Sequence, residues 1–384
     1  MKQFTELFKQ HYGVAPAVVT RAPGRLEILG NHTDYNEGFV LSCAVEQSTF
    51  FAAVPVKGTT CRLVDFRDSG NMTFDLAAPD APLAKNGSKY VKGMALELMK
   101  RSVEVPAFDG AILSSVPLSA GMSSSAALEV SSGLGMCKLA GTELDPAELA
   151  RAGQGVENCY LGLKSGLLDQ FSSIFGKKNA MILSDFRSVE VLRTAALPDG
   201  YSIVVINSMQ KHNLVDSEYN VRRQDCEEAA RIMCQIVPDA KTLRDITWDQ
   251  LNSARNRMED RVFRRALHVV GECTRVLEGI RLLEQKDIAG FGKLLFESHE
   301  SSRVNFENST PELDYLVELA HSVPGCLGAR LSGGGFGGIT IHLVENACAE
   351  EYARRVTAAY KTRTGIDADY IICAIGNGAE VIQF

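Results

Sequence analysis

Four short segments of this chain carry residues whose types and spacing are suited to chemistry. In 114–130, SSVPLSAGMSSSAALEV, small residues close a strand and three serines, Ser123, Ser124 and Ser125, open a helix. A helix start offers unpaired backbone N–H groups and the positive end of its dipole, which together make an anion site. Gly121 lets backbone approach a phosphate closely, and the hydroxyl of Ser124 or Ser125 could ligate Mg²⁺. By themselves the same residues also fit a serine-rich helix cap, and no Walker A loop is present because no G-K-[ST] follows. The second segment, GARLSGGGFGGITIHLV at 328–344, holds a G-x-G-x-x-G match at Gly333, Gly335 and Gly338. A dinucleotide fingerprint must open a helix, whereas this loop enters an alternating strand. It is therefore either backbone packed close against something or a tight hairpin. In the third, RAPGRLEILGNHTDYNEG at 21–38, Arg25, Glu27, His32, Asp34 and Tyr35 cluster within a dozen residues. Strand alternation places Arg25 and Glu27 on one face. Such a cluster reads as a sugar-hydroxyl binder or as a solvated turn. In the fourth, SGLLDQFSSIFG at 165–176, Asp169 stands between apolar residues, where a buried carboxylate must be paired or functional.

The elements that position these segments alternate in type. Residues 49–56 and 110–116 predict strands, and 126–141 predicts a helix closed by Gly141. Asp145, Pro146 and Glu148 predict the next helix start, with a capping box, running through Glu157 to about Gly162. Residues 179–186 and 201–208 predict strands on either side of a turn at Pro198, Asp199 and Gly200, which marks the expected domain boundary. Helical periodicity covers 217–236, 259–285 and 287–303, and another helix begins at Thr310–Pro311. A helix over 349–363 and a strand near YIICAI close the chain. The whole reads as two α+β lobes with a cleft between them.

Composition narrows the function further. The 384 residues are 45% hydrophobic and 23% charged, with net charge −7, which is ordinary for a globular protein. No basic tract or long apolar run occurs, so neither nucleic acid nor a membrane is an expected partner. The ten cysteines form no C-x-x-C pair and read as buried thiols. The N-terminal MKQFTELFKQHYG lacks the core of a signal peptide, and the expected location is the cytoplasm. An acidic protein that binds a nucleotide must do so through local donors.

Taken together, the four segments resemble the GHMP kinases, and within them the galactokinase family. GRLEILGNHTDYNEG at 24–38, PLSAGMSSSAALEV, GLLDQFSSIFG, SEYNVRR at 217–223, RRALHVV at 264–270 and GARLSGGGFGG all match, in order, across nearly the whole chain. The resemblance implies an α+β, two-lobed fold. Its N-terminal lobe, 1–198, would be like ribosomal protein S5 domain 2, and its C-terminal lobe, 199–384, ferredoxin-like, with the last strand free to return to the first lobe. It implies a sugar 1-kinase using ATP and Mg²⁺, acting as a monomer on a small sugar. ATP would bind at Ser119, Ala120, Gly121, Ser123, Ser124 and Ser125, with Gly334 and Gly335 of the glycine loop, and the metal at Ser125 and Glu157. Asp169 aligns with the catalytic aspartate, as base or as orienter, and Arg25 with the arginine that pairs with it. Sugar contacts map to Asn31, His32, Asp34, Gly166 and Tyr219.

Two positions depart from the family pattern, G-R-x-N-x-x-G-E-H-x-D-Y-N-x-G. Glu27 stands where the family has Asn, and Asn31 where it has Glu. A charge-assisted hydrogen bond is about twice as strong as a neutral one, so position 31 is expected to set specificity. Galactose is the first choice, with galacturonate or N-acetylgalactosamine as alternatives. The family also includes non-catalytic galactose sensors with damaged serine loops; here SSSAA at 123–127, Arg25 and Asp169 are all intact.

Overall fold

The computed structural model describes residues 2–67, 70–79, 81, 87–117, 121–211 and 215–383. Its elements run α1 (Lys2–Tyr12), β1 (Val18–Leu29), β2 (Phe39–Pro55), β3 (Thr60–Asp65), β4 (Gly70–Asp75), α2 (Ser88–Lys100), β5 (Phe108–Ser114), α3 (Ser124–Leu139), α4 (Pro146–Gly155), α5 (Leu168–Phe175), β6 (Ala180–Asp185) and β7 (Glu190–Ala196). They continue β8 (Tyr201–Lys211), α6 (Val215–Cys234), α7 (Trp248–Ser253), α8 (Asp260–Glu284), α9 (Ile288–Ser301), α10 (Pro311–Ser322), β9 (Cys326–Ser332), β10 (Gly337–Glu345), α11 (Ala349–Thr364), β11 (Asp369–Cys373) and β12 (Glu380–Val381).

The first sheet has strand order β12-β1-β2-β5-β3-β4, with β6 on β2 and β7 on β6. Its last strand comes from the end of the chain: Thr20 pairs with Val381, and Arg21 reaches Glu380 at 3.1 Å. α1 lays Phe4 and Phe8 on one face against Val19, Ala52 and Val64. α3 is buried on nearly every side, its serines and Glu129 included. The second sheet, β11-β8-β10-β9, is antiparallel throughout. Strand alternation splits β8 and β10 between two cores. Val204, Ile206 and Val344 pack under α10 and α11 with Leu316, Tyr352 and Tyr360. Ile203, Val205, Ile339 and Ile341 turn the other way and join Leu26, Ile28, Leu41 and Met181 of the first sheet, together with Val276 and Phe291 of α8 and α9. One apolar core thus runs beneath both sheets and fixes the walls of the cleft above it.

Two local expectations are corrected. Asp145 caps α4 by accepting from the amides of Ala147 (2.9 Å) and Glu148 (3.3 Å), but no capping box forms. The Glu148 carboxylate turns instead to Arg151 and Arg101, at 3.2 and 3.5 Å. All ten cysteines are unpaired, yet only six are buried, and Cys159 is exposed.

Candidate active site

Arg25 and Glu27 lie between two irregularities of the β1–β2 register, after Pro23 and after Glu27. Such bulges re-aim side chains, and both residues line one pocket at the cleft. Arg25 holds the Asp169 Oδ1 through Nε (2.9 Å) and Nη2 (2.7 Å), and its Nη1 donates to the Gly121 carbonyl at 2.6 Å. Asp169 sits in the first turn of α5. It is not the buried carboxylate that its apolar neighbours predict: its side chain is 29% exposed, because that turn opens on the pocket. Its Oδ2 accepts from the Ser123 hydroxyl. Ser123 precedes α3 in a left-handed conformation (φ 55°) and makes no side-chain capping bond. The serine loop is therefore a helix start whose hydroxyl turns to the carboxylate rather than to its own helix. Ser119 and Ala120 lie outside the described residues.

The turn after β1 supplies the opposite wall. Thr33 Oγ1 donates to the carbonyls of Gly30 (2.7 Å) and Phe39 (2.6 Å), which pins the loop. His32 has its Nε2 3.1 Å from the Gly334 carbonyl and its Nδ1 2.8 Å from the Tyr35 hydroxyl. A carbonyl only accepts, so Nε2 carries the hydrogen and Nδ1 accepts from Tyr35. Burial pushes the pKa of His32 down to about 3, against the opposing pull of the Gly334 carbonyl, so the ring is neutral. It packs against Phe306 and Tyr219 with ring centroids 4.4 and 5.0 Å away. Asp34 Oδ2 accepts from the Leu168 amide at 3.2 Å. Its pKa is raised by burial and held back by the amides of Leu168 and Tyr35. Gly166 closes this corner: a Cβ there would overlap the Asp34 carboxylate.

The glycine loop is both of the things its sequence left open. It joins β9 to β10 as a hairpin, and it packs backbone-close. A Cβ on Gly335 would overlap the Asn308 carbonyl, and the Phe336 amide donates to that same carbonyl at 2.7 Å. Gly334 lies against the Tyr219 ring and lines the pocket beside His32. The pocket encloses about 210 Å³ between these walls.

A second carboxylate group flanks the serine loop. Glu157, in a wide turn after α4, accepts from the Ser165 hydroxyl at 2.5 Å and stands 3.5 Å from the Ser125 hydroxyl. Burial, then the charge of Asp169, push its pKa up to about 7. Glu129, fully buried in α3, accepts from Gln170 at 2.8 Å, and burial followed by the charge of Glu157 raises its pKa strongly. No group of three or more His, Cys, Asp or Glu arranged to hold a metal ion occurs among the described residues. Mg²⁺ is typically held by one or two carboxylates together with substrate phosphates. Glu157, with the Ser125 hydroxyl in the first turn of α3, fits that donor set. Sequence reasoning did not single out Glu129, Arg330, Phe306 or Asn308. Only Arg330 left a signal, as a lone charge in the otherwise uncharged segment GARLSGGG.

Fold and site together define a small-molecule kinase of the GHMP superfamily. The GHMP kinases N terminal domain matches residues 89–177 and the GHMP kinases C terminal domain residues 280–362. The galactokinase galactose-binding signature matches residues 6–55. A galactokinase of Roseiflexus sp. is 38% identical over 378 residues, covering 98% of this chain and 96% of that protein. One from Actinobacillus pleuropneumoniae is 39% identical over 383 residues, covering 98% of each. The galactokinase of Lactococcus lactis, solved in complex with galactose, superposes with a TM-score of 0.92 at 30% identity over 99% of both chains. A mevalonate kinase shares the fold, with a TM-score of 0.62 at 17% identity, over 94% of this chain and 100% of that one. The chain belongs to the galactokinase family and is a sugar 1-kinase of that type.

Proposed function

We propose that this chain transfers the terminal phosphoryl group of ATP to the anomeric hydroxyl of galactose, giving galactose 1-phosphate, with Asp169 and Arg25 as its catalytic residues. The observation that carries this reading is the position of Asp169. One of its oxygens is held twice by Arg25, and the other meets the Ser123 hydroxyl at the start of the phosphate helix. It therefore stands between the sugar pocket and the phosphate site, where the transferring group must pass.

Phosphoryl transfer asks a protein mainly for positioning and charge neutralisation. His32, Asp34, Tyr219 and the Gly166 backbone hold the sugar with its anomeric hydroxyl toward Asp169. Oδ2, the oxygen not held by Arg25, takes or orients the hydroxyl proton. The guanidinium of Arg25 and the amides opening α3 at Ser124 and Ser125 offset charge on the phosphoryl oxygens. The glycine loop, with Gly334 and Gly335, closes the cleft over the reacting groups. Ser125 and Glu157 would hold Mg²⁺, which when bound neutralises phosphate charge. Four carboxylates, Glu27, Asp34, Glu157 and Asp169, line the pocket, which disfavours a uronic acid as substrate. The enzyme is placed in the cytoplasm as a monomer; its ten unpaired thiols support a reducing compartment. No helix among the described residues is long and apolar enough to cross a membrane.

The test is ADP release with galactose, galacturonate and N-acetylgalactosamine. Galactose should give the highest kcat/KM. No ADP with any of the three would point to a sensor instead. Two variants probe the site's halves. Gly166→Ala should lower kcat/KM for the sugar on the order of 10²-fold, because a displacement of about 1 Å at a positioning group costs that much; an unchanged sugar KM would argue against Asp34 as a sugar contact. Ser125→Ala should raise the KM for MgATP and the Mg²⁺ requirement more than the KM for galactose. A change confined to the galactose KM would remove Ser125 from the phosphate site.

A further inference from the structure

The exchange of Glu and Asn between positions 27 and 31 has a structural counterpart. The two side chains touch: Asn31 Nδ2 donates to Glu27 Oε1 at 2.9 Å. The second Asn31 amide hydrogen goes to the Gly333 carbonyl at 2.8 Å, and its oxygen accepts from Asn308 Nδ2 at 2.9 Å. Those three partners fix the amide's orientation and use both of its donors. Asn31 is fully buried and has no donor left for a substrate. Glu27 differs. Its Oε1 is held by Asn31 and by Arg330 Nη2, each at 2.9 Å, while among the described residues no donor reaches Oε2. Glu27 lines the same pocket as His32, Asp34 and Asp169.

We infer that Glu27 is the specificity-determining carboxylate of this pocket, accepting a hydrogen bond from a sugar hydroxyl through Oε2, with Asn31 and Arg330 as residues that position it. The pocket has its carboxyl group at position 27, four residues before the amide of Asn31. This inference rests on the proposed phosphorylation of galactose and deepens it. It also changes what Asn31→Glu should do. That substitution sets a second carboxylate against Glu27 Oε1 where both side chains are buried. Only the double exchange, Glu27→Asn with Asn31→Glu, moves the charge without adding one.

The experiment compares wild type, Glu27→Gln, Asn31→Glu and the double exchange. It uses galactose and a set of galactose analogues each lacking one hydroxyl, with thermal melting as a control on folding. A lost hydrogen bond to a charged group corresponds to roughly a 10- to 100-fold change. Glu27→Gln should lose about that much in kcat/KM for galactose, with the KM for ATP unchanged within twofold. The loss should vanish for the one analogue that lacks the hydroxyl Glu27 reads. Asn31→Glu should lose at least as much, and the double exchange should recover most of it. A wild type that phosphorylates galactose beside a Glu27→Gln variant within threefold of it overturns the inference alone. So does a loss equal for every analogue, which a merely structural role would give. If Glu27→Gln does not fold, failure of the double exchange to exceed Asn31→Glu overturns it equally. A wild type inactive on galactose overturns the functional reading together with this one.

Discussion

Asp169→Asn is expected to slow phosphoryl transfer by roughly 10²–10⁴-fold, the range over which a positioned acid or base contributes, while leaving ATP binding nearly intact. The amide keeps the size of the carboxylate but cannot take a proton. It also gives up the charge that meets Arg25 at 2.7 and 2.9 Å. Arg25 retains its bond to the Gly121 carbonyl, so the guanidinium stays beside the phosphate helix. Nucleotide binding, proposed to depend on the start of α3 and on Glu157, should change little. Single-turnover formation of the sugar phosphate is the measurement, with nucleotide affinity by calorimetry as the control. A variant within threefold of wild type would remove Asp169 from the chemistry. A parallel fall in nucleotide affinity would mean that it acts through the serine loop.

Arg330→Ala should destabilise the protein by about 3–5 kcal/mol, the cost of breaking a buried ion pair by removing one partner. Arg330 is wholly buried on β9. It donates to Glu27 Oε1 at 2.9 Å and to the Ile28 carbonyl at 3.0 Å, both on β1 of the other sheet. It also stands 3.9 Å from Glu272. Burial pushes the Glu272 pKa up, but Arg275 and Arg330 outweigh it and hold the carboxyl well below its usual range. Without Arg330, Glu27 is left as a desolvated charge supported by one amide. Glu27→Gln added to Arg330→Ala should therefore cost less than Glu27→Gln alone, since the charge to be compensated is gone. Chemical denaturation of the four proteins in this cycle is the check. A loss below about 1 kcal/mol, or strictly additive effects, would show that the pair does not couple the two sheets.

Much of this molecule was legible in the residues alone. Ser123–Ser125 after Gly121, Asp169 in GLLDQ, and the Arg25–Asp34 cluster each combine a polar type with a local constraint; the structure brings Arg25, Asp34 and Asp169 to one pocket, with Ser123 bonded to Asp169 and Ser125 beside Glu157. Helix starts were readable where the capping chemistry is local, as at Asp145–Pro146 and Thr310–Pro311. β3, β4 and α7 are short and left little periodic signal. The partners of a capping side chain were not readable: Glu148 was free to turn back to the start of its helix but meets Arg151 one turn on and Arg101, just past α2, instead.

Sequence by itself determined the type of chemistry, because hydroxyl, guanidinium and carboxylate identities and the glycine spacing are local facts. It also determined the alternation of β8 and β10 that gives each sheet face its core. Tertiary structure alone decided which charges share a site. Glu27 lies on bulged β1 and Asn31 in the turn that follows it, and nothing local says that they touch. Arg330 lies some 300 positions further along the chain, and it reaches Glu27 only because β9 crosses β1 over the common core. Hydrogen bonding and desolvation depend on distances of a few ångströms between segments remote in sequence, so the carboxylate proposed to face the sugar could be identified only once the chain was folded.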